Sequence, residues 1–204
     1  MLRSEYYAQL KTLARDVRAR FGLTTPRVLR SDLRRIYRAE RIRIDLWPYK
    51  FKGLRGAYFN DELGPTVLLA KGLPQDPMVF TMAHELKHHL SDHGLPASYC
   101  DASNQFNPIE IGAEIFAAEL IYPDQDFAAH LARMGVHHGT CTPEILVRLK
   151  HETQTTLSYA GLAKRSEFLG FARPGSLARV KWKKLEEQIY GPPIYAIYRR
   201  RRKR

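Results

Sequence analysis

Residues 76–92 read DPMVFTMAHELKHHLSD, a segment whose apolar positions repeat with the period of a helix. Asp76 followed by Pro77 is a helix-start signal, because an acidic side chain caps free backbone N–H groups and proline fits the first helical position. We therefore predict a helix from Asp76 to about Asp92. Its apolar side chains recur at intervals of three and four residues and would anchor it to a core; they are Val79, Met82, Ala83, Leu86 and Leu90.

The same helix carries an HExxH motif, in which His84 and His88 flank Glu85. Side chains four residues apart on a helix differ by only about 40° in direction, so both imidazoles lie on one side. Two such nitrogens can hold a divalent metal ion at about 2.0–2.1 Å. Glu85 points about a quarter-turn away, where it could take a proton from a water molecule without binding the metal. The motif predicts a metal-dependent hydrolase, with a polar surface helix as the alternative.

A catalytic zinc of this kind takes three protein ligands, so a third ligand must come from elsewhere in the chain. The extended motif HExxHxxGxxH does not fit, because it requires glycine and histidine where the chain has Ser91 and Gly94. Asn107 followed by Pro108 repeats the helix-start signal and predicts a further helix that runs to Tyr122.

Two acidic residues on that further helix are candidates for the third ligand. Glu110 and Glu114 are four residues apart and share a face with the small residues Ala113 and Ala117, which would let the helix pack close to the histidines. Carboxylates directed at a core need a partner, and a metal ion or the free N–H of a ligating histidine would serve. We expect Glu110 to bind the metal and Glu114 to orient a histidine. The reverse assignment and an ordinary surface ion-pair helix stay open.

The remaining pattern predicts an α+β protein with a small antiparallel or mixed sheet and a mostly helical C-terminal half. The strands are grouped between helices rather than alternating with them, and the second and third are joined by turn residues as a hairpin. The further predicted helices cover 4–21, 31–40, 124–134, 143–151, 156–169 and 176–188; the predicted strands cover 42–46, 57–60 and 66–70, and 93–106 is a predicted loop.

Two motifs in this order resemble those of the ImmA/IrrE family of bacterial and phage metallopeptidases. The first is the HExxH at 84–88, and the second is ExxAxxFAxxLxxP, which begins at Glu110 and ends at Pro123. The resemblance covers roughly residues 75–125. It implies a gluzincin-like core that holds one Zn²⁺ per chain. The residues that it implicates are His84, His88 and Glu110 as zinc ligands and Glu85 as the general base.

The resemblance also implies a substrate class. Family members are zinc endopeptidases that cleave helix-turn-helix repressors of the Xre type and thereby switch on stress, DNA-damage or mobile-element genes. They usually have Asn or Asp where this chain has Glu114, a longer side chain that would change the geometry around the histidines. A group that stabilises the oxyanion would come from the C-terminal half, where the candidates are His130, His137, His138 and Tyr159.

The chain carries a formal net charge of +12, and the last six residues supply half of it. Such charge favours acidic partners, nucleic acid above all. A second arginine-rich run lies between residues 27 and 43. These features support an alternative function, a DNA- or RNA-binding regulatory protein that retains the peptidase fold. The six tail residues that would make this contact are Arg199, Arg200, Arg201, Arg202, Lys203 and Arg204.

Length and composition set the expected organisation and location of the protein. With 204 residues, of which 44% are hydrophobic and 26% charged, the chain has a composition typical of globular domains. No apolar stretch approaches the roughly 20 residues that cross a bilayer, and the N-terminal segment lacks the apolar core of a secretory signal. We expect a cytoplasmic protein with no membrane contact. The predicted regions are a metallopeptidase core at 1–125, a helical region at 126–190, for which a helix-turn-helix-like unit is one interpretation, and a basic tail at 191–204.

Overall fold

A computed structural model describes residues 2–48, 55–92, 97–99 and 107–193, the third range by its backbone alone. In these ranges the helices are α1 (Arg3–Arg20), α2 (Arg30–Ala39), α3 (Gln75–Ser91), α4 (Pro108–Ile121), α5 (Asp124–Arg133), α6 (Pro143–Thr153), α7 (Tyr159–Phe168) and α8 (Trp182–Tyr190). The strands are β1 (Arg43–Trp47), β2 (Gly56–Asp61), β3 (Gly64–Ala70) and β4 (Ala97–Tyr99). None of these helices combines the length and apolar character needed to cross a membrane.

The chain divides into two compact units. The first comprises Met1–Pro123 together with Thr155–Ser158, and the second comprises Asp124–Gln154 together with Tyr159–Arg204. The first unit contains the sheet and the helices α1 to α4, and the second contains α5 to α8. All of the candidate metal ligands and the candidate base therefore belong to the first unit.

The described strands form one mixed sheet in the order β1-β3-β2-β4. β1 runs parallel to β3, with Ile44 opposite Val67, whereas β2 runs antiparallel to β3 and β4. The predicted hairpin is confirmed, with Tyr58 opposite Val67. The loop prediction for 93–106 is wrong at Ala97–Tyr99, a strand too short to show a pattern of its own. The predicted class, α+β with a mixed sheet, is confirmed.

Helix α3 is the central helix of the first unit. It packs against β2 and β3 of the sheet and against the helices α2 and α4. Four residues of the predicted apolar anchor are buried, namely Val79, Met82, Ala83 and Leu86, whereas Leu90 is partly exposed. The surface-helix alternative is wrong, because the polar residues in the middle of α3 are buried as well. They are Thr81, His84, Glu85, Lys87 and His88.

Helix α4 packs against both α1 and α3. The side chain of Asn107 caps its start by accepting a hydrogen bond from the N–H of Ile109 at 3.0 Å, and proline follows at the first helical position. Gly112 lets α4 approach α1 closely, since a Cβ there would lie 2.7 Å from Cδ1 of Leu10 and 3.0 Å from Cε1 of Tyr6. A larger residue at this position would push the two helices apart.

A buried arginine fastens the end of α4 to α1. The guanidinium of Arg18 donates to the carbonyl oxygens of Leu120 at 2.7 Å and Ile121 at 3.2 Å, and to that of Thr25 at 3.2 Å. The last carbonyls of a helix have no partner within the helix and carry partial negative charge. A buried cation at this end therefore satisfies hydrogen bonds and stabilises the helix electrostatically.

Replacing Arg18 with methionine should lower the free energy of unfolding by about 2–3 kcal/mol, because buried carbonyl oxygens lose a charged donor. Urea unfolding followed by circular dichroism measures the change. Arg20→Met is the matched control on the same helix, since the Arg20 side chain is 63% exposed and its ion pair with Glu40 spans 2.7 Å. Such a surface pair contributes less than about 1 kcal/mol. Equal losses in both variants would contradict this account of Arg18.

The second unit is helical in its described part. Its core includes Phe127, Leu131 and Leu146, and the indole of Trp182 stacks on Tyr159 with ring centroids 5.2 Å apart. The buried guanidinium of Arg165 pairs with Asp124 at 3.1 Å.

Two helix predictions in this part of the chain have wrong starting points. The helix predicted from residue 156 begins at Tyr159, because 155–158 belong to the first unit, where the Thr156 hydroxyl donates to the carbonyl of Val28 at 2.8 Å. The last predicted helix begins at Trp182 rather than at residue 176.

Candidate metal centre

Three buried polar side chains converge where α3 meets α4. Nε2 of His84 lies 3.1 Å from Oε2 of Glu110, and Nε2 of His88 lies 3.3 Å from Nε2 of His84. Nε2 of His88 is also 3.7 Å from Oε1 of Glu110. One ligand atom from each residue falls within 4.8 Å of the other two. The structure thus brings together the three residues that the motifs predict as metal ligands.

The arrangement of these atoms suits a divalent cation. Ligand atoms at about 2.0–2.1 Å from a tetrahedral metal ion are about 3.3–3.4 Å apart. The observed distances lie around that value: 3.3 Å between the two imidazoles, 3.1 Å from His84 to Oε2 of Glu110 and 3.7 Å from His88 to its Oε1. Two imidazoles and one carboxylate also form a donor set that is typical of catalytic zinc sites. On both distance and chemistry, these side chains fit a metal ion.

Local and tertiary structure contribute differently to the convergence. His84 and His88 meet because they lie one helical turn apart on α3, with ring centroids 5.1 Å from each other. Glu110 lies in the first turn of α4, so only the packing of α4 on α3 brings its carboxylate to the imidazoles. The site therefore needs both the motif and the helix pair.

Glu114 does not lie where the sequence suggested. It is exposed, whereas Glu110 is buried. An α-helix turns about 100° per residue, so a step of four residues changes the direction of a side chain by about 40°. On α4 this change in direction moves Glu114 out of the buried face. Ile111 and Ala118, three residues before and four residues after it on the same side of the helix, are also partly exposed. The expectation that both carboxylates point into the core is wrong for Glu114, and Glu110 alone joins the histidines.

The carboxylate that contacts a ligating histidine belongs to Asp92. Its Oδ2 lies 2.6 Å from Nδ1 of His88. With the Nδ1 proton donated to Asp92, Nε2 is the nitrogen of His88 that would bind a metal ion once the second ring proton has left. Asp92 thus occupies the orienting position that the sequence assigned to Glu114.

The cluster is electrostatically coupled. Burial alone would lower the pKa of His88, but its hydrogen bonds with Asp92 and Glu110 outweigh burial and raise that pKa to about 9. Burial alone would raise the pKa of Glu110, but hydrogen bonds from His84 and His88 hold it well below its ordinary value. The cluster therefore attracts positive charge: a second proton on His88 supplies it here, and a metal ion would have to displace that proton.

The candidate base is buried beside the cluster. Glu85 is 1% exposed, and burial raises the pKa of its carboxyl group to about 7, although His84 and His88 act to lower it. Among the described residues no hydrogen-bond donor reaches its Oε2. A buried carboxylate oxygen without a partner is unusual and calls for a functional explanation.

Strand β2 holds Glu85 from the sheet side. A Cβ on Gly56 would lie 2.9 Å from Oε1 of Glu85 and 2.5 Å from Cγ2 of Thr81. Only glycine therefore lets the β2 backbone pass this close to α3. Its position limits how far the Glu85 carboxylate can move away from the histidines.

Comparison with known proteins identifies the family. A model of the Peptidase M78 family, described as the IrrE N-terminal-like domain, matches residues 39–160. The chain belongs to this family. It is therefore a metallopeptidase, a hydrolase that acts on protein, and its α+β core is consistent with a gluzincin-like peptidase domain. The resemblance to the ImmA/IrrE family is confirmed, while the curated proteins contain no match to this chain.

Several predicted functional residues lie elsewhere in the chain. The basic tail from Arg199 to Arg204 lies outside the described residues. The candidates for oxyanion stabilisation belong to the second unit, where Nδ1 of His130 is 2.7 Å from the carbonyl oxygen of Asp126 and the Tyr159 hydroxyl donates to Glu186 at 2.8 Å.

Sequence reasoning missed three residues that shape the centre. Asp92 could have been noticed, because it lies four residues after His88 at the end of the predicted helix. Gly56 precedes a predicted strand, and a glycine there can indicate close approach by another backbone element. Lys87 gave no signal, since a lysine within a helical motif is normally exposed.

The two candidate orienting carboxylates can be compared directly by substitution. Asp92→Asn should lower metal affinity about 10- to 100-fold, because the hydrogen bond that fixes the tautomer and orientation of His88 is weakened. Glu114→Gln should leave the affinity within about twofold, because that exposed side chain is outside the cluster. Competition with a chelating dye measures both. A larger loss in Glu114→Gln would restore the assignment made from sequence.

Proposed function

We propose that this metallopeptidase is a cytoplasmic zinc endopeptidase that cleaves an Xre-type helix-turn-helix repressor and so derepresses stress, DNA-damage or mobile-element genes. The observation that carries the proposal is the convergence of His84, His88 and Glu110 beside the buried, incompletely hydrogen-bonded carboxylate of Glu85. Membership of the Peptidase M78 family supports the hydrolytic part. The choice of repressor rests on the motif resemblance to ImmA/IrrE proteins.

One Zn²⁺ per chain is the proposed metal. Zinc accepts the mixed imidazole and carboxylate donors of this cluster and tolerates a site with three protein ligands. Bound by His84, His88 and Glu110, such a cation would supply Lewis acidity that polarises a peptide carbonyl and makes a water molecule more acidic.

Glu85 is the proposed general base and acid. Its pKa of about 7 lets the carboxylate accept a proton near neutral pH and release it again. It would take a proton from the attacking water and then donate that proton to the nitrogen of the leaving amine. The missing side chain at Gly56 leaves room for this carboxylate beside β2, since a Cβ there would lie 2.9 Å from its Oε1.

Replacing Glu85 with glutamine should abolish cleavage while leaving bound zinc unchanged, because the amide cannot accept the proton. A loss of at least about 100-fold is expected for a missing general base. Newly formed protein N-termini are compared in cells that make the native chain or the variant at equal levels. Glu114→Gln, the same chemical change at an exposed position of α4, is the control and should retain cleavage.

The same comparison identifies the substrate. One or a few cuts that require Glu85 and fall in a small helix-turn-helix protein would support the whole proposal. Cuts that require Glu85 but fall in other proteins would contradict the repressor assignment alone. The peptidase proposal itself fails if no cut depends on Glu85 in cells that have received DNA damage and in which the chain has bound zinc.

A second candidate function is DNA or RNA binding by a protein that retains the peptidase fold. Four exposed arginines in and around α2 favour it, since none of their side chains has a hydrogen bond or ion pair within the described part of the chain. Arg34 and Arg38 lie one turn apart and share a face, so they could contact neighbouring phosphates. The four are Arg27, Arg34, Arg38 and Arg41.

Neutralising this surface tests the second candidate. Arg34→Gln with Arg38→Gln should reduce the salt dependence of nucleic-acid binding by about one unit of slope for each lost phosphate contact, and so should deletion of residues 199–204. Lys183→Gln with Lys184→Gln removes equal charge from the second unit and is the control. Fluorescence anisotropy at several salt concentrations measures the slope. An unchanged slope in the arginine variants would exclude α2 as the contact surface.

A further inference from the structure

A lysine is fully buried inside the HExxH segment. The side chain of Lys87 is 0% exposed, although it occupies one of the two motif positions that have no part in metal binding or proton transfer. Burying an ammonium group is costly unless each of its protons finds an acceptor. The surroundings of Lys87 therefore have to provide those acceptors.

Three acceptors surround the ammonium group. Nζ of Lys87 donates to Oδ1 of Asp92 at 3.0 Å, to Oδ2 of Asp92 at 2.8 Å and to the carbonyl oxygen of Ile109 at 3.1 Å. An ammonium group has three protons, so these contacts match its full donor capacity. A group bonded in this way has a defined position and can fix the position of its partners.

An aromatic ring from α1 covers the same ammonium group. Nζ of Lys87 lies 5.6 Å from the centroid of the Tyr6 ring, a distance at which a cation is attracted to the ring face. Tyr6 reaches this position because Gly112 of α4 has no side chain in its way. Lys87 thus lies where α1, α3 and α4 meet.

The two residues that accept hydrogen bonds from Lys87 are each connected to a different ligand of the candidate metal centre. Asp92 uses Oδ2 to accept from both Lys87 and Nδ1 of His88, the latter at 2.6 Å. Ile109 directly precedes Glu110 in the first turn of α4, so a bond to its carbonyl fixes the backbone from which the Glu110 side chain extends. One side chain therefore constrains both elements that carry ligands.

We propose that Lys87 is a positioning residue for the metal centre: it orients His88 through Asp92 and Glu110 through the carbonyl of Ile109. This inference rests on the proposed zinc site. Ion pairing for stability alone would need only Asp92. The bond to Ile109 adds a link between α3 and α4 at the point where their ligands meet. Lys87 never contacts the metal, and its effect on metal affinity is indirect.

The test measures Zn²⁺ affinity of the full chain by competition with a chelating dye. Lys87→Met should lower the affinity about tenfold or more, in the range seen when partners of metal ligands are removed. Substituting Co²⁺ for Zn²⁺ gives a second readout, because its visible absorption reports the geometry of the ligands. The Lys87→Met spectrum should shift, whereas a residue that only stabilises the fold should leave the spectrum of the folded protein unchanged.

A double variant tests the route through Asp92. If Lys87 acts mainly by holding that carboxylate, Lys87→Met should add no more than about threefold to the affinity loss already caused by Asp92→Asn, since coupled residues are not additive. Arg18→Met is the control, because it also replaces a buried cation with methionine but lies at the far end of α4. It should destabilise the fold and leave zinc affinity and the Co²⁺ spectrum unchanged.

The outcomes separate this inference from the proposed zinc site. If the native chain binds no zinc through its histidines, both fail together. If the native chain binds zinc but Lys87→Met matches it within about twofold in affinity, with the same Co²⁺ spectrum, only the positioning role is overturned. Lys87→Gln, which keeps two N–H donors without charge, replaces the methionine variant if that one does not fold, and an intermediate loss of affinity is then expected.

Discussion

The burial of two imidazoles and a carboxylate between α3 and α4 is the constraint around which the first unit is organised. Polar groups removed from water cost free energy unless each finds a partner, and His84, His88 and Glu110 find one another. That requirement sets how closely the two helices approach. Gly112 lets α4 pack closely on α1, while Arg18 stabilises the far end of α4, away from the ligands.

The parts of the site that local geometry determines could be predicted from sequence. His84 and His88 share a direction because a helix repeats every 3.6 residues, and the helix itself was signalled by Asp76 and Pro77. The hairpin of β2 and β3 could also be predicted from local sequence, since turn residues separate two short runs that favour strands. Glu110 required the second motif as well, because nothing local specifies which helix packs on α3.

The residues that prediction missed or misplaced depend on how elements cross. Glu114 is exposed because of the way α4 is oriented on α3. Asp92 is the exception, since its contact with His88 is local and joins residues four apart at the end of α3. Gly56 matters because β2 passes against Glu85, and Lys87 is buried because three helices meet over it. Single-helix periodicity contains no information about such neighbours.

The buried carboxylate of Glu85 lowers the stability of the folded chain at neutral pH. Its pKa in the folded chain, about 7, lies above the ordinary value of 4.5, so its contribution to stability is greatest below pH 4.5 and is lost as pH rises toward 7. At neutral pH the fold therefore retains a group that opposes folding. The hydrogen-bonded ion pairs of Asp92 with Lys87 and His88, close to Glu85, act in the opposite direction and favour folding. A side chain that weakens the fold, lies beside the histidines and has an oxygen with no donor among the described residues supports the role in proton transfer that we propose for Glu85.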